Sequence, residues 1–231
     1  MNNQFNDNSY VVMAEGFMNK VYGWMTIGLT ITALVAYYLS PAVNPAMFHA
    51  VSGSLMIFML AQFGLVMYFS FAWKSLNFTT MAALFLVYSA LTGVILSPVA
   101  YIYTGESIFQ VFLITAAMFG TMAVYGAVTK SDLSSMGNIL MMGLVGLVIA
   151  NFINIFWQNA QFDIITSCIG VGMFCILTAY DVQKLRRLGS QAIGSQEDVN
   201  KIALLGALNL YLDVVNLFLY LLRLFGKKNN K

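Results

Sequence analysis

IALLGALNLYLDVVNLFLYLL, residues 202–222, is the stretch whose reading decides the fold. It is long and apolar enough to cross a bilayer, which takes about 20 residues, yet it carries Asp213 at its middle. An aspartate at the centre of a membrane helix costs roughly 2.5–3.5 kcal/mol on insertion scales, so it needs a local partner, a water-filled cavity or a function. Gly206, Asn209, Asp213, Asn216, Tyr220 and Arg223 recur at the three- and four-residue spacing of one helical face, while Leu, Val and Phe fill the rest. This stripe is expected to turn inward, with the helix at the centre of a bundle.

The composition agrees. The chain of 231 residues is 60% hydrophobic and 9% charged, with a mean hydropathy of +0.78, whereas soluble domains are roughly 25% charged. Apolar runs at 21–39, 50–73, 78–103, 107–128, 133–157 and 164–180 precede the final one. The expected fold is therefore an all-α membrane protein, a seven-transmembrane-helix bundle with the C-terminal helix central. A polar N-terminal tail (1–20), a single seven-helix transmembrane domain (21–225) and a basic C-terminal tail (226–231) account for the chain. Residues 1–20 are rich in Asn and lack the basic and short apolar regions of a cleavable signal peptide.

Within the runs, Pro98 predicts a kink, because proline has no N–H and crowds the carbonyl one turn back. Ala116, Gly120 and Ala123 have the small-residue spacing that admits a close helix neighbour. Asn151 and Asn154 need partners inside the membrane. Cys168 and Cys175, two turns apart on one helix, have Cα atoms about 10 Å apart, beyond disulfide reach, and read as packing residues. His49 has no Cys, Asp or Glu beside it, which favours an interfacial loop over a metal site. The net charge of +2 is small and scattered, so nucleic acid is excluded as a partner.

Basic residues orient the chain. With the N-terminus in the cytoplasm, the loops on that side hold Lys74, Lys130, Lys184, Arg186, Arg187 and Lys201, and the opposite loops hold no Lys or Arg. Seven crossings then place the C-terminus outside.

Two acids bear on chemistry. Asp213 lies mid-span, and Asp181 ends the sixth run, with Thr178 one turn before it and Lys184 one turn after. Spans six and seven, joined by one loop, are expected as antiparallel neighbours, which would bring the two carboxyls together if the helices tilt enough. Two carboxyls meeting in a low dielectric share a proton and titrate as a pair. Unprotonated, Asp181 and Asp213 offer hard oxygen ligands for Ca²⁺, with Asn209, Asn216, carbonyls or water completing the shell. The competing reading is that Asp213 hydrogen-bonds to Asn, Tyr or Thr of adjacent helices and fixes packing. Both remain open on spacing alone. An intramembrane aspartyl protease would pair Tyr-Asp with Gly-x-Gly-Asp, but Asp213 follows Tyr211-Leu212, so no enzyme and no resident cofactor is expected.

The run Ala207-Leu208-Asn209-Leu210-Tyr211-Leu212-Asp213-Val214-Val215-Asn216-Leu217-Phe218 resembles the last-helix signature of the Bax inhibitor-1 (transmembrane Bax inhibitor motif) superfamily. Thr129-Lys130-Ser131-Asp132-Leu133 and Leu177-Thr178-Ala179-Tyr180-Asp181-Val182-Gln183-Lys184 are similar to its bacterial YccA/YbhL-type branch. The resemblance implies a last helix surrounded by six others, and an aspartate pair, here Asp181 and Asp213, sensing pH for a Ca²⁺ leak across the bacterial cytoplasmic (inner) membrane. Some members carry an arginine latch at the inner end of the second helix. Here that region departs from the pattern and reads Trp73-Lys74-Ser75-Leu76, so Lys74 is the candidate for the latch, with a point charge in place of arginine's planar fork. The resemblance also implies an alternative role, binding and modulating a membrane AAA protease through the N-terminal tail and inner loops.

Overall fold

The computed structural model describes residues 2–191 and 196–229. The described helices are α1 (Asn2–Tyr38), α2 (Pro45–Ser52), α3 (Leu55–Ala72), α4 (Phe78–Leu96), α5 (Val99–Ile102), α6 (Gly105–Val128), α7 (Gly137–Trp157), α8 (Ala160–Gln191) and α9 (Gln196–Phe225). A 3₁₀ turn, Leu133–Met136, leads into α7, and no strand occurs among the described residues. Among the described residues, seven segments are long and apolar enough to cross a membrane: Gly16–Tyr38, Leu55–Ala72, Phe78–Ile102, Gly105–Val128, Leu133–Trp157, Ala160–Ser190 and Glu197–Phe225. The last has the largest buried share, 56% of its most apolar window against 6% for Leu55–Ala72.

Local chemistry sets the helix ends. Asn77 caps α4 by accepting from Thr80 N at 2.8 Å, and Asn44 caps α2 by accepting from Met47 N, with Pro45 at the first helical position. The predicted kink at Pro98 is a full break between α4 and α5. There Ser97 mends the ladder, donating from both its N–H and its hydroxyl to the Val94 carbonyl that the proline cannot serve. The loop expected at 158–163 shrinks to two residues. Gln158 takes a left-handed conformation (φ 49°) that ends α7, and Asn159 accepts from Gln161 N and Phe162 N to start α8.

The N-terminal segment expected as a tail is helical from Asn2, and Phe17 and Met18 within it are buried. Residues 2–38 contain no proline to stop the helix, so the boundary read from polarity alone does not interrupt it.

The chain divides into two compact units, Met1–Thr104 with Gly189–Tyr211 and Lys228–Lys231, and Gly105–Leu188 with Leu212–Lys227. In the first, α4 packs on α1 and α3. Gly28 admits Phe85, and Thr32, buried, donates to the Ser89 carbonyl at 2.8 Å and shares a 2.6 Å hydrogen bond with the Tyr211 hydroxyl. In the second, Val111, Thr115, Phe119, Ala123 and Gly126 form the buried stripe of α6.

That stripe is shifted from the expected one. Ala116 is exposed and Gly120 has nothing within 4 Å of its would-be Cβ, whereas a Cβ on Gly126 would lie 2.2 Å from the Ala179 carbonyl oxygen. Close approach of α6 to α8 therefore depends on Gly126. Gly126→Ala should destabilise the protein by about 1–3 kcal/mol through overpacking against immovable backbone, while Gly120→Ala, in open space, should gain helix propensity. Thermal unfolding in detergent separates the two; equal shifts would refute the assignment.

Candidate functional site

Both acids fall in the second unit, Asp181 on α8 and Asp213 on α9. Along α8, Ser167, Gly170, Phe174, Thr178 and Asp181 follow at helical three- and four-residue spacing, and α9 answers with Asp213, Asn216, Tyr220 and Arg223. The helices meet antiparallel. The Tyr220 ring lies where a Gly170 Cβ would be, 2.7 Å from three of its carbons, and it stacks on Phe174 with centroids 5.8 Å apart. Further along, Arg223 reaches Asp163 at 3.4 Å.

This register sets the height of the acids. With Tyr220 opposite Gly170, Asp213 comes level with residue 177, and with Arg223 opposite Asp163 it comes level with residue 173. Asp213 thus stands one to two turns from Asp181, about 6–12 Å along the axis. The carboxyls are within electrostatic range of each other, and no hydrogen bond joins them among the described residues.

Asp213 is 5% exposed, and its Oδ2 is buried without a hydrogen-bond partner. The side chains expected to satisfy it are engaged elsewhere. Thr178 donates to the Phe174 carbonyl at 2.8 Å and Asn216 to the Leu212 carbonyl at 2.8 Å, each within its own helix. The reading in which neighbouring Asn, Tyr or Thr satisfy the carboxyl therefore fails for Oδ2. An orphaned buried oxygen of this kind costs about 1–3 kcal/mol, more when charged. Asp181 is half-buried, with Lys184 as its electrostatic neighbour and the Lys184 ammonium 5.7 Å from the Tyr180 ring centroid.

The other two expected participants lie in the first unit. Asn209 is exposed, so the polar stripe does not turn inward at that position. Lys74 is exposed too, with its ammonium 5.6 Å from the Trp73 ring centroid. No group of three or more His, Cys, Asp or Glu residues that would hold a metal ion exists among the described residues.

Sequence reasoning missed what grips the Asp181 end of α8. Gln183, buried, accepts from Leu133 N at 2.9 Å and donates to the Ser131 carbonyl at 2.8 Å. Arg186 donates to the Ala127 carbonyl, and Arg187 pairs with Asp132 at 2.8 Å. The signal was present, since residues 129–133 and 177–184 each stood out as motifs, but nothing in their order showed that one docks on the other. At the far end of the unit, Asn151 donates to the Tyr220 hydroxyl at 2.9 Å and accepts from Arg223 at 2.7 Å. This meets the need for a partner that the place of Asn151 within an apolar run implied.

Comparison with known proteins adds a family. A family model described as "Inhibitor of apoptosis-promoting Bax1" matches residues 14–230. Inner membrane protein YbhL of Escherichia coli strain K12 is 44% identical over 220 residues, covering 93% of this chain and 92% of that protein. A protein of Borreliella burgdorferi is 43% identical over 221 residues and 95% of both chains, and YrjE of Lactococcus lactis is 36% identical over 214 residues, 92% of this chain and 91% of YrjE.

The clamp yields a prediction outside the spans. Hydrogen bonds from the Ser134 hydroxyl and backbone N–H, then from Arg187, hold the Asp132 carboxyl down at about 2. A depressed acid stabilises the fold above its ordinary value of 3.8, and that contribution disappears as pH falls toward 2. In an NMR titration, Ser134→Ala should return Asp132 toward the ordinary carboxylate range; an ordinary value in the wild-type protein would refute the clamp.

Proposed function

The chain belongs to the Bax inhibitor-1 family, and on that premise we propose that it is a pH-sensitive leak pathway for Ca²⁺ gated by Asp181 and Asp213. It is a multi-pass membrane protein. We place it in the bacterial cytoplasmic membrane with its N-terminus inside, by likeness to the E. coli inner membrane relative and from the segregation of basic loops. In this reading the last helix is central, an assignment supported by its having the largest buried share of the seven spans.

The observation that carries the proposal is the orphaned Oδ2 of Asp213, within electrostatic range of a second acid on the facing helix. A buried carboxyl oxygen that no protein donor serves is free to take a proton or to face a cation, and those two occupants compete for the same lone pairs. With both carboxyls ionised, the pair attracts a divalent cation. With a proton bound, that attraction falls. Two carboxyls supply fewer than the six to eight oxygens Ca²⁺ prefers, so the remaining ligands are water and backbone carbonyls, which suits passage better than tight retention. The role is non-catalytic and requires no resident cofactor.

Proteoliposomes loaded with a Ca²⁺ dye test this. Wild-type flux should vary between about pH 6 and about pH 8, and Asp213→Asn, which keeps shape but cannot titrate, should lose that variation. Equal flux from the two proteins at every pH, or wild-type flux no higher than in protein-free vesicles, would end the proposal.

A further inference from the structure

Among the described residues, two buried side-chain polar atoms have no hydrogen-bond partner: Asp213 Oδ2 and Ser167 Oγ. Both belong to the α8–α9 pair of the second unit, where most other polar groups are satisfied. A buried orphan in a spanning segment marks a place where water or an ion completes the shell, or where strain is kept for a purpose. Ser167 is wholly buried and lies one turn along α8 from Asp163, toward the end where Arg223 sits. Asp213 lies nearer the Asp181 end.

Between them stands one ring. Tyr220 fills the space opposite Gly170, stacks on Phe174, receives a hydrogen bond from Asn151 at 2.9 Å and has the Arg223 guanidinium 5.4 Å from its centroid. Gly170 is what allows this, because any Cβ there would strike the ring. An aromatic closure between two polar stations blocks water and ions by leaving them nothing to hydrate against, and moving one ring removes it.

We propose that the α8–α9 seam of the second unit is the route by which water and small cations reach Asp213 from the Arg223 end, with Ser167 as a hydrated station on it and Tyr220 on Phe174 as its gate. The cargo assigned to the route rests on the leak reading above; the gate itself does not. Thr178 and Ser167 are both fully buried; with the ring against Gly170 and Phe174, Thr178 lies on its Asp213 side and Ser167 on its Arg223 side.

Cysteine accessibility tests the gate without touching either acid. In a Cys168→Ser, Cys175→Ser background, Ser167→Cys and Thr178→Cys are exposed to a small cationic methanethiosulfonate reagent from each side of a vesicle. Ser167→Cys should react from one side and Thr178→Cys hardly at all. Adding Tyr220→Ala should speed the Thr178→Cys reaction about tenfold, the change expected when ~1.4 kcal/mol is removed from a barrier, and leave Ser167→Cys nearly as it was. Gly170→Ala, which forces the ring to shift, supplies a second opening if Tyr220→Ala folds poorly. Thr178→Cys rates unmoved by either change, or as fast as Ser167→Cys with Tyr220 in place, would overturn the gate. Ca²⁺ flux is then measured in the Tyr220→Ala protein: faster labelling without faster flux keeps the gate and removes the leak reading, and slow labelling removes the gate whatever the flux.

Discussion

The core of a bilayer offers no water to a stray donor or acceptor, so a spanning helix must find partners for its polar atoms within the protein. This chain largely does so. The hydroxyls of Ser89, Thr92, Thr115 and Thr178 each donate to the carbonyl one turn back, the back-bonding that lets small polar residues sit in apolar helices. Ser97 does the same where Pro98 breaks the ladder. Asn151 and Asn216 return their amides to Leu147 and Leu212. Against that background an unpartnered Asp213 Oδ2 stands out, since a paired group gains roughly 0.5–1.5 kcal/mol net and an orphaned one loses about 1–3.

The two ends of α8 differ in how they are held. Near Asp181, the Gly126 contact on Ala179, the two bonds of Gln183, and the links of Arg186 and Arg187 tie residues 179–187, some two and a half turns, to residues 126–133. Gly137 adds a close contact to the Tyr180 hydroxyl. That end of α8 is therefore tied at several points to the segment that leads into α7. Near Asp163 the polar tie of α8 to another helix is an ion pair to Arg223 at 3.4 Å, worth little where it is exposed, and the packing there is aromatic, with Phe162 edge-on to Trp157 and Phe174 stacked on Tyr220.

Much of this was legible in the sequence because membrane physics writes itself in composition and period. Seven spans follow from run length, and the break at Pro98 follows from a missing donor. Antiparallel pairing of α8 and α9, with Asp181 and Asp213 on facing helices, follows from one connecting stretch, although residues 192–195 of it lie outside the described residues. What failed was direction and partnership. Asn209 shares a helical face with Asp213 by spacing, yet it is exposed while Gly206 and Asp213 on either side of it are buried, so face membership does not guarantee burial. The Ala116–Gly120 stripe looked suited to close packing, but Gly126, three residues beyond Ala123, makes the contact; small residues permit approach without specifying it. In the sequence Gln183 is one member of a motif and Arg186 one of the inner-loop basic residues, and only tertiary structure shows what they hold.

One further constraint follows from α9 being a single unbroken helix. Tyr211, wholly buried in the first unit, shares its hydroxyl with Thr32 and packs edge-on against Phe85 and Tyr88. Asp213 is two residues later, so the two side chains leave the helix roughly 200° apart. Turning α9 enough to bring Asp213 a new partner would drag Tyr211 out of its hydroxyl contact and aromatic neighbours. The tyrosine therefore sets the rotation of the helix and holds the carboxyl where no side chain answers its outer oxygen. Satisfying that oxygen by turning the helix would break the Tyr211 hydroxyl contact and its two ring contacts to gain one hydrogen bond.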